Sequence, residues 1–265
     1  MKIYKTHFSK RESDISIISD LKKAISRAKE SFYFHRKNLE FYIKKDKAFL
    51  NSFSPLKVHT DFEIIKVMAD VAEICDVGPM AAVAGALADF MKNAMKNPHK
   101  DVKNNSSQCK IAVVENGGEI SADSEYPITI ALFAGKNPLN FNLGFTIKKG
   151  NCPIGIGTSS ASIGHAISLG QADAVTIFAI NAALADAAAT RVGNTVKGPD
   201  IEKSIKLGLD YASDINGVIG AFISRENKIG YIGNLPQLIK IEGDKCQILK
   251  KAKDLSILGD FEIIK

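Results

Sequence analysis

The sequence predicts an α+β protein built on a mixed, largely antiparallel sheet flanked by helices. Three observations predict it. Helical apolar spacing dominates the first 95 residues, strand-like runs fill most of 109–180, and a helical stretch over 181–213 precedes a last group of strands. The order helices, strands, helices, strands separates the two element types, unlike the strict alternation of a doubly wound sheet. With 265 residues and 45% of them hydrophobic, the chain can bury a core without disulfide or metal staples.

The elements follow from local pattern. Ile17, Leu21, Ala24, Ile25, Ala28 and Phe32 recur at helical spacing, so a long helix is expected over 14–47 with Asp14 as its N-cap. Ser, Pro and Asn interrupt the pattern over 51–59. A second helix is expected over 61–75 and a turn over 76–79. A third helix then runs from Pro79, which suits a first turn, to about Met95. Its small residues (MAAVAGALAD) allow another backbone, of protein or ligand, to approach closely.

After a polar loop over 97–108 the period shortens. CKIAVVENGGEISA reads as strand, Asn-Gly-Gly turn and strand, because glycine accepts positive φ. YPITIALFAG and NLGFTIKKG are further strands. CPIGIGTSSASIGHAISLG reads as a strand, a serine-rich loop and a short helix closed by Gly170. ADAVTIFAI is a buried strand leading to a helix over 181–192 that Asn181 can cap. A helix over 199–213 and a terminal meander of strands complete the chain. Residues 1–58 are expected to form a helical N-terminal extension, and residues 59–265 one compact α+β unit.

Composition narrows the function classes. Cys75, Cys109, Cys152 and Cys246 lie far apart with no CxxC pair, so no zinc or iron–sulfur spacing exists and reduced thiols are expected. Residues 1–14 lack an apolar signal region, and every apolar run is too short to span a bilayer. A cytoplasmic chain without a membrane partner is expected. The net charge of +6 comes from dispersed lysines. It fits a solvated surface or a small anionic ligand better than nucleic acid, for which no motif is present; binding through the lysine-rich N-terminal part is the alternative.

Candidate chemistry gathers in a few places. Asp186 and Thr190 are spaced i, i+4 on an alanine-rich helix, so they share a face. Carboxylate and hydroxyl are hard ligands suited to Mg²⁺, although a solvent-facing polar stripe would have the same spacing. The helix start at Asn181 follows a buried strand and offers amides to phosphate. The loop over 155–160 (GIGTSS) offers two glycines, Gly155 and Gly157, for close backbone approach and then the hydroxyls of Thr158, Ser159 and Ser160, yet it lacks the lysine of a phosphate-binding P-loop, and a capped turn is the other reading. No G-x-S-x-G pattern accompanies Ser159, Ser160 and His165, which argues against a hydrolase.

In this order these segments resemble the ApbE-like superfamily, whose best-known members are magnesium-dependent FMN transferases. AVAGALAD (residues 82–89) is similar to the family's KGxAxD helix, with Gly85 and Asp89 in register and Ala84 in place of Lys. VENGGEI (114–120) resembles its Gly-Gly-[Asp/Asn]-Ile strand end. IGTSS (156–160) and AVTIFAINAALADAAAT (174–190) resemble its Thr-Ser-Gly loop, strand and magnesium helix. The resemblance covers residues 60 to 225. It implies a site for FAD or FMN with Mg²⁺, in which Asp186 and Thr190 hold metal. Gly85, Asn116, Gly117, Gly118, Thr158, Ser159, Ser160, His165 and Asn181 would face the ligand. The family's His-x-Ile-Asp-Pro-x-Thr-Gly segment is missing, with only residues 161–173 in its place. The chain therefore looks like an uncharacterised ApbE-like branch of methanogens and other anaerobes. The resemblance implies flavin or nucleotide binding without FMN transfer. Its alternative is a non-catalytic accessory role beside a partner enzyme of anaerobic sulfur assimilation (homocysteine formation).

Overall fold

A β-hairpin, not a helix, begins the chain. In the computed structural model, which describes residues 1–97, 108–132, 134, 137–160, 170–241 and the backbone of 261–262, β1 (Tyr4–Lys10) pairs antiparallel with β2 (Ser13–Ser19). The helix expected over 14–47 starts only at Lys22, as α1 (Lys22–Lys45). Asp14 is not its cap; this carboxylate accepts from Ser9 Oγ at 2.6 Å instead. Ile17 fits the helical series that continues through Leu21, yet Ile15 and Ile17 also alternate as a strand does, and a strand neighbour decides: β2 pairs with β3 (Ile111–Asn116) over Ile15 to Ser19. The first 58 residues therefore supply the edge hairpin of the main sheet as well as helices.

Of the remaining helices the short α2 (Lys47–Asn51) was not expected, and the others lie close to expectation. These others are α3 (Glu63–Cys75), α4 (Val83–Lys96), α5 (Ala182–Thr195) and α6 (Ile201–Asp214). Pro79 opens a short 3₁₀ turn ahead of α4, and α6 is capped by Asp200, so Pro199 lies just outside it. The other strands are β4 (Glu119–Ser124), β5 (Ile128–Ala131), β6 (Leu143–Ile147), β7 (Ile154–Ser159), β8 (Ala174–Ala179), β9 (Val218–Arg225), β10 (Lys228–Gly233), β11 (Gln237–Lys240) and β12 (Phe261–Glu262). The short helix expected before Gly170 falls on residues outside those described.

Eight strands form the main sheet in the order β1-β2-β3-β4-β7-β8-β9-β10, and four form a second sheet in the order β11-β6-β5-β12. Every pairing among the described residues is antiparallel. The terminal strands are not one meander: β9 and β10 form a hairpin, but β11 crosses to the second sheet. Period-2 alternation sends β8 residues Val175, Ile177 and Ala179 toward the helices, and Phe178 toward the second sheet. There Phe178 meets Phe145 edge-on at 4.9 Å, and Phe145 meets Phe222 at 5.8 Å. The result is three layers: helices, main sheet, small sheet.

Glycine sets the position of α5. A Cβ on Gly155 or Gly157 would overlap the backbone of α5 at Asn181 and Ala185, and a Cβ on Gly85 would overlap the Ala182 carbonyl. The close approach anticipated for these glycines is thus made by protein backbone. Helix α5 rests directly on β7 and on α4.

Among the described residues no single helix is long and apolar enough to cross a membrane. Cys75, Cys109 and Cys152 are free thiols, and Cys246 lies outside the described residues. Burial pushes the Cys75 thiol up to about 12, which makes it a poor nucleophile.

Candidate functional site

The tip of the β3–β4 hairpin, the start of α4 and the first half of α5 converge on Asp186. The Gly85 amide donates to Asp186 Oδ2 at 2.9 Å. Asn116, buried on the helix-facing side of β3, donates through Nδ2 to the Ala84 carbonyl at 3.1 Å. Gly157 lies directly beneath the Ala185–Asp186 backbone. Three segments separated by up to 101 residues of sequence therefore meet through short polar contacts.

One carboxyl that the sequence reading did not single out, Glu119, belongs to this junction, while a second, Glu115, lies on the opposite, second-sheet face of the same hairpin. Glu115 is buried, and its Oε1 accepts from the Gly118 amide at 2.8 Å. Glu119 is half-buried and turns its carboxyl inward to the Thr158 amide. The β4–β7 ladder stops at Ile120, which leaves that amide available. Burial pushes Glu115 up to about 8 and Asp186 up to about 7. Glu119 is raised well above the usual carboxylate range by burial and then by the charges of Asp186 and Glu115. The sequence signal was present in VENGGEI, where two glutamates flank the turn. A charged residue beside a turn is ordinarily solvent-facing, so it passed unremarked.

Asp89, in register in the α4 motif, closes the start of α5. Its Oδ1 accepts from Ser121 Oγ at 2.6 Å and from Ala182 N at 3.1 Å, while Oδ2 accepts from Ala183 N at 2.9 Å. Asn181 caps the helix as expected, accepting from Leu184 N at 2.8 Å. The phosphate seat expected there is not available, because the first-turn amides are already satisfied inside the protein. A cleft of about 200 Å³ lined by Val67, Asp89, Phe90, Lys92, Asn93 and Asn181 is too small for a dinucleotide.

The other expected site residues divide between the two faces of the main sheet. Thr158 and Ser159 belong to β7 rather than to a loop. The Thr158 hydroxyl meets Thr176 Oγ1 at 3.2 Å on the second-sheet face, away from Asp186. Ser159 faces Gly193, near the far end of α5. Ser160 follows the strand end, and His165 lies outside the described residues. Thr190 is half-buried, one turn after Asp186 on the same helix face.

Gly117 and Gly118 hold the hairpin turn at φ 66° and 113°. Nothing lies within 4 Å of where a Gly118 Cβ would stand, so its side of the turn is open. We expect Gly118→Ala to cost about 1–2 kcal/mol through φ alone. A urea midpoint unchanged from wild type would contradict this.

Known proteins share this architecture. A family model described as AbpE bacteria matches residues 2–219. A UPF0280 protein of Methanococcus vannielii is 39% identical over 246 residues, covering 91% of this chain and 95% of the relative. A UPF0280 protein of Methanocaldococcus jannaschii is 38% identical over 235 residues, covering 88% and 91%. Among solved structures, the apo flavinyl transferase ApbE of Pseudomonas stutzeri superposes with a TM-score of 0.52 at 12% identity, over 88% of this chain and 94% of that one. A mutant of the flavin transferase ApbE of Vibrio cholerae gives 0.52 at 12% identity, over 88% and 97%. At that identity the likeness is one of fold.

Proposed function

The chain belongs to the AbpE bacteria family, and on that premise we propose that it binds a small anionic ligand of the flavin-nucleotide class together with a divalent cation at Asp186, without transferring FMN. The observation that carries the reading is the pair Asp186 and Glu119. Both residues are half-buried, burial raises both carboxyls, and the Asp186 charge raises Glu119 further. Two such groups are strongly stabilised by a cation between them and a ligand phosphate.

The donor set suits Mg²⁺. Asp186 and Thr190 present hard oxygens one helical turn apart, and a carboxylate keeps lone pairs free after accepting the Gly85 amide. No three of His, Cys, Asp and Glu form a ready-made cage among the described residues. This accords with Mg²⁺ sites that rely on one or two carboxylates and complete their shell with water and phosphate. Bound there, the cation would neutralise ligand phosphate charge. The chain's own groups act around it: Gly85 orients the Asp186 carboxyl, Asn116 holds the Ala84 carbonyl, and the open side of Gly118 admits a flat ring.

Flavinyl transfer is named for the Pseudomonas protein and flavin transfer for the Vibrio one. Here Ala84 removes a cation, and the His-x-Ile-Asp-Pro-x-Thr-Gly segment is absent. Loss of one charge-stabilising group commonly costs ~10²–10³ in rate, so FMN transfer should be negligible. A second reading, an accessory protein beside a partner enzyme of anaerobic sulfur assimilation, is favoured by the occupied amides at the start of α5.

Calorimetric titration with FMN and with FAD, each with and without Mg²⁺, tests the proposal. Binding should depend on Mg²⁺ and weaken about tenfold or more in Asp186→Asn. Incubation with FAD, Mg²⁺ and an acceptor domain should give no fluorescent covalent band. Mg²⁺-dependent affinity that survives Asp186→Asn would overturn the site, and a covalent band would overturn the exclusion of transfer.

A further inference from the structure

Charge is distributed unevenly along this chain, and the fold exposes the asymmetry on one helix. Residues 1–47 hold thirteen Lys and Arg against six Asp and Glu, a net +7; the whole chain carries +6, which leaves −1 for everything after. The arginines of this stretch are largely committed. Arg36 bonds Glu12, Ser13 and Glu40, Arg11 pairs with Glu40, and Arg27 donates to the Ala94 and Met95 carbonyls at the end of α4. Lys23, Lys37, Lys44 and Lys47 are exposed, and none pairs with a carboxylate among the described residues.

These lysines surround an apolar crest. The inner side of α1 buries Ala24, Ala28, Phe32, His35 and Leu39. Stepping 100° per residue places Phe34 and Phe41, spaced i, i+7, on the opposite side. They are 62% and 48% exposed. Lys37 lies between them and Lys44 and Lys45 follow, with Lys45 Nζ 4.3 Å from the Phe41 ring centre. The same segment continues past α2 to Phe53, 73% exposed. A soluble surface shows single apolar residues commonly, but a phenylalanine ridge edged by unpaired lysines marks a contact surface.

We propose that the outward face of α1 docks on an anionic lipid surface. The ridge is the convex side of a helix, with its two rings ~10 Å apart along the axis, so it suits a plane better than a groove. Phenylalanine partitions to the headgroup–acyl boundary while lysine stems reach anionic headgroups. A second copy of the chain would bring like charge onto like charge, which disfavours self-association here. The expectation of no membrane partner rested on the lack of a spanning run, and surface docking requires none.

Co-sedimentation of the full chain with vesicles tests this. Binding is expected to phosphatidylglycerol–phosphatidylcholine vesicles and not to phosphatidylcholine alone. Phe34→Ser with Phe41→Ser should lower it about tenfold or more, and Lys37→Glu with Lys44→Glu should abolish it. Lys203→Ala with Lys206→Ala on α6 should leave it unchanged. All the altered side chains are exposed, so thermal melts should match wild type. No sedimentation with anionic vesicles would overturn the proposal. So would equal sedimentation with neutral ones, or binding insensitive to the phenylalanine pair. Tighter binding to a single-stranded oligonucleotide than to anionic vesicles would assign the face to nucleic acid instead.

Discussion

Replacing Asp89 with alanine is expected to remove about 3–5 kcal/mol of folding stability, the largest loss we anticipate from one substitution. The carboxylate is the partner of three groups at once: the Ser121 hydroxyl and the Ala182 and Ala183 amides. Each becomes a buried donor without an acceptor, at about 1–3 kcal/mol apiece, offset by the removal of a buried carboxyl that burial itself disfavours. The damage should also be structural, because those amides start α5, the helix that carries Asp186. Asp89→Asn should fall between, since its carbonyl can serve Oδ1's partners while its NH₂ opposes the Ala183 amide. Urea unfolding of the three proteins gives the comparison. An alanine variant within about 1 kcal/mol of wild type would mean that water replaces the carboxylate and that the cap is dispensable.

Stability without ligand should fall as pH rises from about 4 to 8. Glu115 moves from an ordinary value of 4.5 to about 8 in the folded protein, and Asp186 from 3.8 to about 7. Between those limits the folded chain binds more protons than the unfolded one, so raising the pH favours unfolding. For these two groups the loss falls within that window, and Glu119 and Asp89, which burial also raises, act in the same direction. At 1.36 kcal/mol per unit, Glu115 alone accounts for about 5 kcal/mol. Urea midpoints at pH 5 and pH 8.5 should therefore differ clearly, and Glu115→Gln should remove much of the difference. If the wild-type midpoint were level across this range, Glu115 would have to be ionised in the folded state at neutral pH.

The sequence was legible where a residue's neighbours along the chain decide its state. The apolar run of β8, the Asn181 cap and the Asn-Gly-Gly turn are cases of this, and so are the limits of α3 and α6. It was illegible where distant partners decide. Ile17 fits a helix continuing into α1 until β3 pairs with β2 and the Asp20 carboxylate takes the Lys110 and Ile111 amides. β11 reads as a strand, but nothing in QLIK says that it joins β6 instead of β10. The site was half legible. Asp186, Asn116 and Gly85 meet as the motif order suggested, whereas Thr158 turns to the other face and the α5 amides are consumed by Asp89. Glu115 and Glu119 escaped notice because only a folded hairpin shows that their carboxyls point inward.

For the cation proposed at Asp186, the glycine seam beneath α5 has a consequence for metal choice. With backbone laid against backbone at Gly85, Gly155 and Gly157, there is no layer of side chains to compress or swell when an ion arrives. The oxygens on α5 cannot easily spread to suit a larger ion. Mg²⁺ asks for oxygens at ~2.1 Å in near-octahedral order, while Ca²⁺ prefers ~2.4 Å and a looser shell. A seat that cannot dilate discriminates by ionic radius, so any preference for the smaller ion at Asp186 would come from unyielding scaffolding beneath the carboxylate, with no extra ligand required.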